Sequence, residues 1–424
     1  MNNRHHQIVI IGAGTAGITV AAQLLLKNKK LDIAIIDPAE KHYYQAAWTL
    51  VGAGTYDFKK TERDMKNLIP NGATWIKEFV DVVDPELNKV ILKDGSEISY
   101  DYLIPCPGVQ IDLDGIEGLE EAMNKDGVCS NYIDPDYTWE ALQNFKGGVA
   151  LFTQPATPIK CGGAPQKIMY LADDYFKKAG IKHKTQVVFA TPGSVIFGTE
   201  PFKETLMKVV NRKGIHLRFF HKLTKIDPVN KKAHYTITKF VGEEDRLFHN
   251  KVDFGQEWVS ESEVILPYDF LHTAPPQSAP DFIKNSKLAH QEGPSKGWIN
   301  VNPFTLQHNI YPNVFALGDA AALPTAKTGA AIRKQAPVLV ENLLNSILQT
   351  KGDEEKLYDG YSSCPIVTGY GKMLLAEFKY DNIKASDPLI SKFVDTSKEQ
   401  YSMWLLKKYG LPIMYWNFML KGRA

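Results

Sequence analysis

Residues 7–11 (QIVII) are apolar without alternation, the pattern of a strand buried on both faces of a parallel sheet. Residues 16–27 (AGITVAAQLLLK) follow as a helix and residues 32–37 (DIAIID) as a second strand. The chain therefore opens with a βαβ unit of a doubly wound sheet. A second strand–helix series begins near residue 148: GVALFT reads as a strand, 165–179 as a helix, TQVVFAT as a strand, 201–213 as a helix and HLRFF as a strand. Residues 232–269 alternate in short segments, as an antiparallel excursion does. The Pro-rich run TAPPQSAP at 273–280 reads as a link between domains. Residues 310–335 return to a strand, a Gly-Asp turn and a helix. The tail, 398–424, is rich in Trp, Tyr, Met and Leu.

Composition narrows the class. The 424 residues suit two to three domains, and 44% hydrophobic with 23% charged residues is the make-up of a soluble globular protein. A net charge of +1 offers no field for nucleic acid, which is not expected as a partner. The start MNNRHHQIVIIGAG runs straight into a strand and a glycine turn, so no signal peptide is expected. No apolar run is long enough to span a bilayer. The four cysteines, Cys106, Cys129, Cys161 and Cys364, form no C-x-x-C pair, so no metal is expected. Without an export signal a structural disulfide is not the default, while a redox-active pair stays open.

Gly12, Gly14 and Gly17 form G-x-G-x-x-G between the first strand and the first helix. The first permits a tight turn, the second lets backbone approach a pyrophosphate, and the third lets helix and strand pack closely. The helix N-terminus adds free N–H groups and a positive dipole end. Asp37, at the end of the second strand, is placed to accept hydrogen bonds from ribose hydroxyls. This fingerprint suits NAD or FAD alike. The segment YPNVFALGDAA (311–321), ending near Gly318-Asp319, resembles the second FAD motif of flavoproteins with two dinucleotide-binding domains. In that motif the Asp holds a ribityl or phosphate group. Lys327, Thr328 and Gly329 would then start the helix that faces the flavin pyrimidine. The equivalent turn of the second domain, ATPGSVIFG (190–198), lacks the fingerprint spacing, and Ile196 and Phe197 would crowd a pyrophosphate. NAD(P)H is thus a poor candidate for the electron donor.

Cys161 lies in TPIKCGGAPQKIMYL, beside Lys160 and before a helix, where a thiol should ionise easily. Cys364 lies in YSSCPIVTGY, a polar setting that leaves packing and chemistry both open. Cys106 reads as a packing residue near the flavin. Cys129 is undecided.

The segments HYYQAAWTLVGAG (42–54), TPIKCGGAPQKIMYL (157–171), ALGDAAALPTAKTGAA (316–331) and YDGYSSCPIVTGY (358–370) resemble sulfide:quinone oxidoreductases of the mitochondrial branch. The resemblance runs over nearly the whole chain. It implies two Rossmann-like doubly wound α/β domains, the FAD domain discontinuous, with a C-terminal amphipathic helical segment for membrane contact. The boundaries it suggests are 1–112 and 281–335 for the FAD domain, 113–280 for the second domain, and 336–424 for the C-terminal region. It implies FAD as cofactor, with Ala16, Trp48 and Gly108 joining the FAD contacts. Cys161 and Cys364 would be the catalytic pair, Cys364 carrying the persulfide and Cys161 facing the flavin as thiolate. Cys129 would be a third sulfur or a flavin link, as in other branches. The acid–base His and Glu of the three-cysteine branch are missing; Gln166 and Lys167 stand at the helix start after Cys161. The implied partners are hydrosulfide, a quinone near Tyr370, Phe378 and Trp404, a small sulfur acceptor, and a second copy in a homodimer.

The tail segment 401–420 suits two short interfacial helices, broken at Gly410-Pro412, on the cytoplasmic face of a membrane. Its removal is expected to release the protein from membranes while FAD stays bound. The competing expectations are a type II NADH:quinone oxidoreductase of the same fold and a flavin-binding module without catalysis.

Overall fold

The computed structural model describes residues 4–239, 247, 249–250, 252–349 and 355–424. Arg4–Ile11 (β1) is the inner strand of the first sheet, and its apolar run is explained by packing on both faces. Ile8 and Ile10 point to one side, where helix Thr15–Lys27 (α1) supplies Ile18 and Leu24. Val9 and Ile11 point to the other, against Ile299, Val314 and Ala316. Each such buried aliphatic side chain contributes roughly 1.5–3 kcal/mol. Ile33–Ile36 (β2) and Ala73–Ile76 (β3) extend the sheet in parallel on one side. Val80–Asp84 (β4), Lys89–Leu92 (β5) and Glu97–Pro105 (β6) form an antiparallel meander whose last strand pairs in parallel with β1. The order is β3-β2-β1-β6-β5-β4.

The second parallel sheet is built from Val128–Cys129 (β7), Gly148–Thr153 (β8), Thr185–Ala190 (β9), His216–Arg218 (β10) and a returning strand. Helices Pro135–Asn144 (α2), Ala164–Lys178 (α3) and Phe202–Lys213 (α4) connect these strands. The excursion expected at 232–269 is a four-stranded antiparallel sheet: His221–Asp227 (β11), Lys232–Ile237 (β12), Glu257–Ser260 (β13) and Glu263–Pro267 (β14). Part of the connection between β12 and β13 lies outside the described residues. Phe270–Thr273 (β15) then returns between β7 and β8, giving the order β7-β15-β8-β9-β10.

The Pro-rich link is itself paired. Gln277–Ser278 runs antiparallel to Gln110–Ile111, so the two chain passages between the sheets form one ribbon. The chain then rejoins the first sheet, where Val314 bridges Leu103 of β6. The strand expected before Gly318-Asp319 is reduced to isolated bridges, while the helix starts where Lys327, Thr328 and Gly329 were expected to start it. Gly329–Leu348 (α5) begins only after an irregular passage, capped by Thr328. A hairpin, Ser362–Gly369 (β16) with Lys372–Phe378 (β17), packs along α3.

The tail departs from expectation. Tyr401–Leu405 (α6) and Leu411–Asn417 (α7) are joined through a π-helical turn, Leu406–Gly410, in which Gly410 keeps helical angles. Pro412 lies just past the π-helical turn, and the chain keeps helical angles through that turn, so the helix is continued rather than broken.

Candidate functional site

The first half of the site is the turn from β1 to α1. Gly12 has φ +100°, and a side chain there would strike the Cys106 carbonyl at 2.6 Å. A Cβ on Gly17 would lie 1.9 Å from Gly12 O, so the close approach of helix and strand requires glycine. Gly14 has no atom within 4 Å of its Cβ position, leaving the helix N-terminus open to an anion. Asp37 is fixed through both carboxylate oxygens, which accept from Ala13 N at 2.6 Å and Ala39 N at 2.8 Å. Burial raises its carboxyl and the two backbone bonds oppose this. Gly108 has open space around it, and Trp48 is buried with no partner on its indole nitrogen. These features fit an adenine dinucleotide laid across the turn.

The second half comes from the returning segment. Gly318 has φ +75°, a Cβ added there would lie 3.4 Å from the Ala16 methyl, and its N–H donates to Gln335. Thr328 caps α5 by accepting from Ala331 N and shares a hydrogen bond with Ser362 of β16. Gly329 is open on its outer side. Lys327 bonds the Asp319 and Ala321 carbonyls and lies 3.9 Å from the centroid of the Trp298 ring. Burial pushes its ammonium down to about 8. Burial also raises the Asp319 carboxyl, against Lys327 and Lys160.

The two cysteines set apart in the sequence meet beside this segment. Cys161 adopts φ +53°, a left-handed conformation that costs a non-glycine residue on the order of 1 kcal/mol. It is held there by Cys161 N donating to Lys327 O at 2.8 Å and by Tyr132 Oη donating to Cys161 O. Cys364, in β16, comes within hydrogen-bonding reach of the Cys161 sulfur. Gly163 makes room for it, since a Cβ there would lie 2.6 Å from Cys364 Sγ. Lys167, one turn into α3 and 1% exposed, donates to Cys161 Sγ at 3.0 Å. The Cys364 hydrogen bond, and then Lys167, hold the Cys161 thiol well below its ordinary range despite burial. The same hydrogen bond and burial push Cys364 up. Burial favours a neutral Lys167, but the two sulfurs outweigh it and keep the ammonium charged. Lys407, from the π-helical turn, is 3% exposed, bonds Ala46 O at 2.7 Å and adds its field to the pair. Burial and Lys167 push it down to about 8.

Lys167 and Lys407 were not singled out from the sequence as functional. Lys167 had one legible signal, its place in the first turn of the helix that follows Cys161. Lys407 had none, because the fold brings it from the tail. Cys129 is placed apart from the pair, fully buried in β7 among the core of the second sheet, its thiol raised chiefly by burial. Cys106 sits behind the glycine turn, as expected of a packing residue. Of the three aromatics, Tyr370 bonds Ala53 O, Trp404 is buried in α6, and Phe378 packs on Phe197; no ring contact joins them among the described residues.

A cavity of about 620 Å³ opens at the carboxyl ends of β8 and β9. Gln154, Thr157 and Thr191 line it, and Gly162 and Gln166 connect it to the cysteine loop. Ile196 and Phe197 are among its lining residues.

The family model described as pyridine nucleotide-disulphide oxidoreductase matches residues 6–141. The chain is 44% identical to the mitochondrial sulfide:quinone oxidoreductase of Dictyostelium discoideum, over 98% of this chain and 86% of that one. Its identity to the enzyme of the same name from Mus musculus is 39%, over 99% and 87%. The solved sulfide:quinone oxidoreductase of Aquifex aeolicus shares the fold with a TM-score of 0.75 at 20% identity, over 99% of this chain and 92% of that chain.

Proposed function

The chain belongs to the sulfide:quinone oxidoreductase family, FAD-dependent enzymes that oxidise sulfide with quinone as acceptor, and we propose that its sulfur chemistry runs on Cys161 and Cys364. The observation that carries this assignment is the buried Lys167 ammonium, 3.0 Å from one sulfur of a close pair. In the oxidised pair, hydrosulfide attacks Cys364 Sγ. The sulfur–sulfur bond breaks, its electron pair stays on Cys161, and Cys364 is left as the persulfide. Lys167 makes Cys161 the better leaving group by stabilising its thiolate. The terminal sulfur of the persulfide then passes to an acceptor nucleophile, releasing Cys364 as thiolate. The two thiolates rejoin as two electrons leave. FAD, when bound, supplies the two-electron acceptor next to the pair and a route to quinone.

The acceptor's route is proposed through the cavity floored by Gly162 and Gln166. Tyr370 and Trp404 are kept as quinone-side residues, Trp404 because its helix also carries an exposed apolar stripe, Tyr401, Leu405, Tyr409 and Ile413. Phe378, against the cavity-lining Phe197, is assigned to the other side. The stripe supports contact with a membrane surface; no helix among the described residues is long and apolar enough to cross one. The cytoplasmic face expected from the sequence and the word mitochondrial in the relatives' names are distinguished by protease protection in intact organelles. Sizing in detergent tests the homodimer.

The deciding experiment is anaerobic addition of sulfide to the yellow protein, followed by a quinone. Bleaching of the flavin by sulfide and recovery with quinone are expected, with only slow bleaching by NADH. Persistence of sulfide bleaching after Cys161→Ala or Cys364→Ala would remove the paired-cysteine assignment.

A further inference from the structure

The Tyr415 hydroxyl, in α7 of the tail, lies 2.8 Å from Thr15 Oγ1 in the first turn of α1 and 2.5 Å from His42 Nε2. His42 is 5% exposed, and its Nδ1 lies 3.2 Å from Ala13 O. Burial pushes the imidazole down to about 4, so the ring is neutral at physiological pH. The proton positions follow from the partners. A carbonyl only accepts, so Nδ1 carries the hydrogen and donates to Ala13 O. Nε2 is then bare and accepts from the Tyr415 hydroxyl. The Tyr415 oxygen in turn accepts from the Thr15 hydroxyl.

Ala13 O belongs to the same planar peptide unit as Gly14 N–H, and in a trans peptide the two point in opposite directions. Drawing Ala13 O toward His42 therefore turns Gly14 N–H away from it, at the mouth of the open helix N-terminus. Ala13 N–H is already held by Asp37. The turn is thus fixed from one side by β2's acidic residue and from the other by the tail. Further contacts tie the tail to the same body. Met419 and Leu420 are buried with the apolar face of α1, and a Cβ on Gly422 would meet Gln23 N at 2.8 Å.

We infer that Tyr415 is a positioning residue for the FAD cradle, so that docking of the C-terminal helix and binding of FAD reinforce each other. Linkage makes the coupling reciprocal: whatever the tail contributes to FAD affinity, FAD returns to tail docking. Removal of the tail therefore loosens FAD, contrary to the expectation drawn from the sequence, because it deletes Tyr415 together with the lipid-facing stripe. The inference rests on the FAD site and not on the cysteine assignment, so a failure of sulfide bleaching leaves it untouched.

The test uses the purified holoenzyme. FAD release is followed by the rise of free flavin fluorescence, and tail docking by the rate of tryptic cleavage at Lys407 and Lys408. Tyr415→Phe is expected to release FAD about tenfold faster and to speed tail cleavage, with Tyr409→Phe, on the exposed face, as the unaffected control. Thr15→Val combined with Tyr415→Phe should be no worse than the more severe single change, because both break one chain. Stripping FAD from the wild type should speed tail cleavage by a similar factor. Release within twofold of wild type in Tyr415→Phe, or tail cleavage indifferent to FAD, overturns the inference. So does an equal loss of FAD in the Tyr409→Phe control, which would mark a general softening of the tail.

Discussion

Two sets of two cysteines lie in the same fold, Cys161 half-buried and the other three buried, and they differ in what surrounds them. Cys106 and Cys129 have no cation beside them among the causes that act on their thiols, and burial, helped by Asp37 and Asp134 respectively, drives them up. Burial acts on Cys161 and Cys364 as well, but Lys167 lies within hydrogen-bonding distance of one sulfur and Lys407 adds charge behind it. The difference shows that burial does not by itself decide whether a thiol is inert. The hydrogen bond between the two sulfurs does most to hold Cys161 down against desolvation, and the Lys167 ammonium, in a medium that screens poorly, adds to it.

The largest effect that could break this comparison is loss of a member of the proposed pair, Cys161 and Cys364. Cys161→Ala or Cys364→Ala should lower sulfide-driven flavin reduction by at least about a thousandfold, measured by stopped flow, while flavin absorbance shows FAD retained. Next comes the cation. A hydrogen bond to a charged group is worth about 1.5–3 kcal/mol, so Lys167→Met should slow the same step about ten- to a hundredfold. The pH profile sharpens that point. In the reduced enzyme the depressed Cys161 thiol stays ionised as pH falls, so its alkylation by iodoacetamide should hold its rate well below pH ~8.5. In Lys167→Met the thiol rises while the Cys364 hydrogen bond still lowers it, so the rate should begin to fall at a higher pH than in the wild type. A flat profile in both proteins would deny Lys167 its role.

Lys407 touches a carbonyl rather than a sulfur, so Lys407→Met should cost only about three- to tenfold. The smallest effect belongs to Cys129. Cys129→Ala should lower stability by about 1 kcal/mol through the small cavity it leaves and leave turnover unchanged. Acid precipitation of the wild type should release all the flavin to the supernatant, because Cys129 is sealed in the second sheet. Flavin retained in the pellet would overturn this placement.

Much of the frame was legible in the residues. QIVII, the glycine turn and Asp37 define a local unit whose parts lie close along the chain, so spacing alone places them. The second strand–helix series and the antiparallel excursion were legible for the same reason. The passage after Gly318-Asp319 was not, because its path is set by Lys327 holding Cys161 and by Thr328 meeting Ser362. Nor was the continuity of the tail helix, since Gly410 and Pro412 are ordinary breakers when read without the body against which the helix packs.

The sequence by itself determined a dinucleotide fingerprint at residues 12–37, a segment resembling a second FAD motif at 318–329 and one cysteine before a helix. These are statements about neighbours along the chain, where backbone geometry fixes which groups face one another. Only the tertiary structure decided that Cys161 and Cys364 come within hydrogen-bonding reach of each other, that Lys167 and Lys407 converge on them, and that Tyr415 reaches His42 and Thr15. Those contacts join segments whose separation along the chain carries no information about distance. The electrostatics that set each thiol's ionisation depend on distance and burial, which exist only once the two sheets, the hairpin and the tail have packed together.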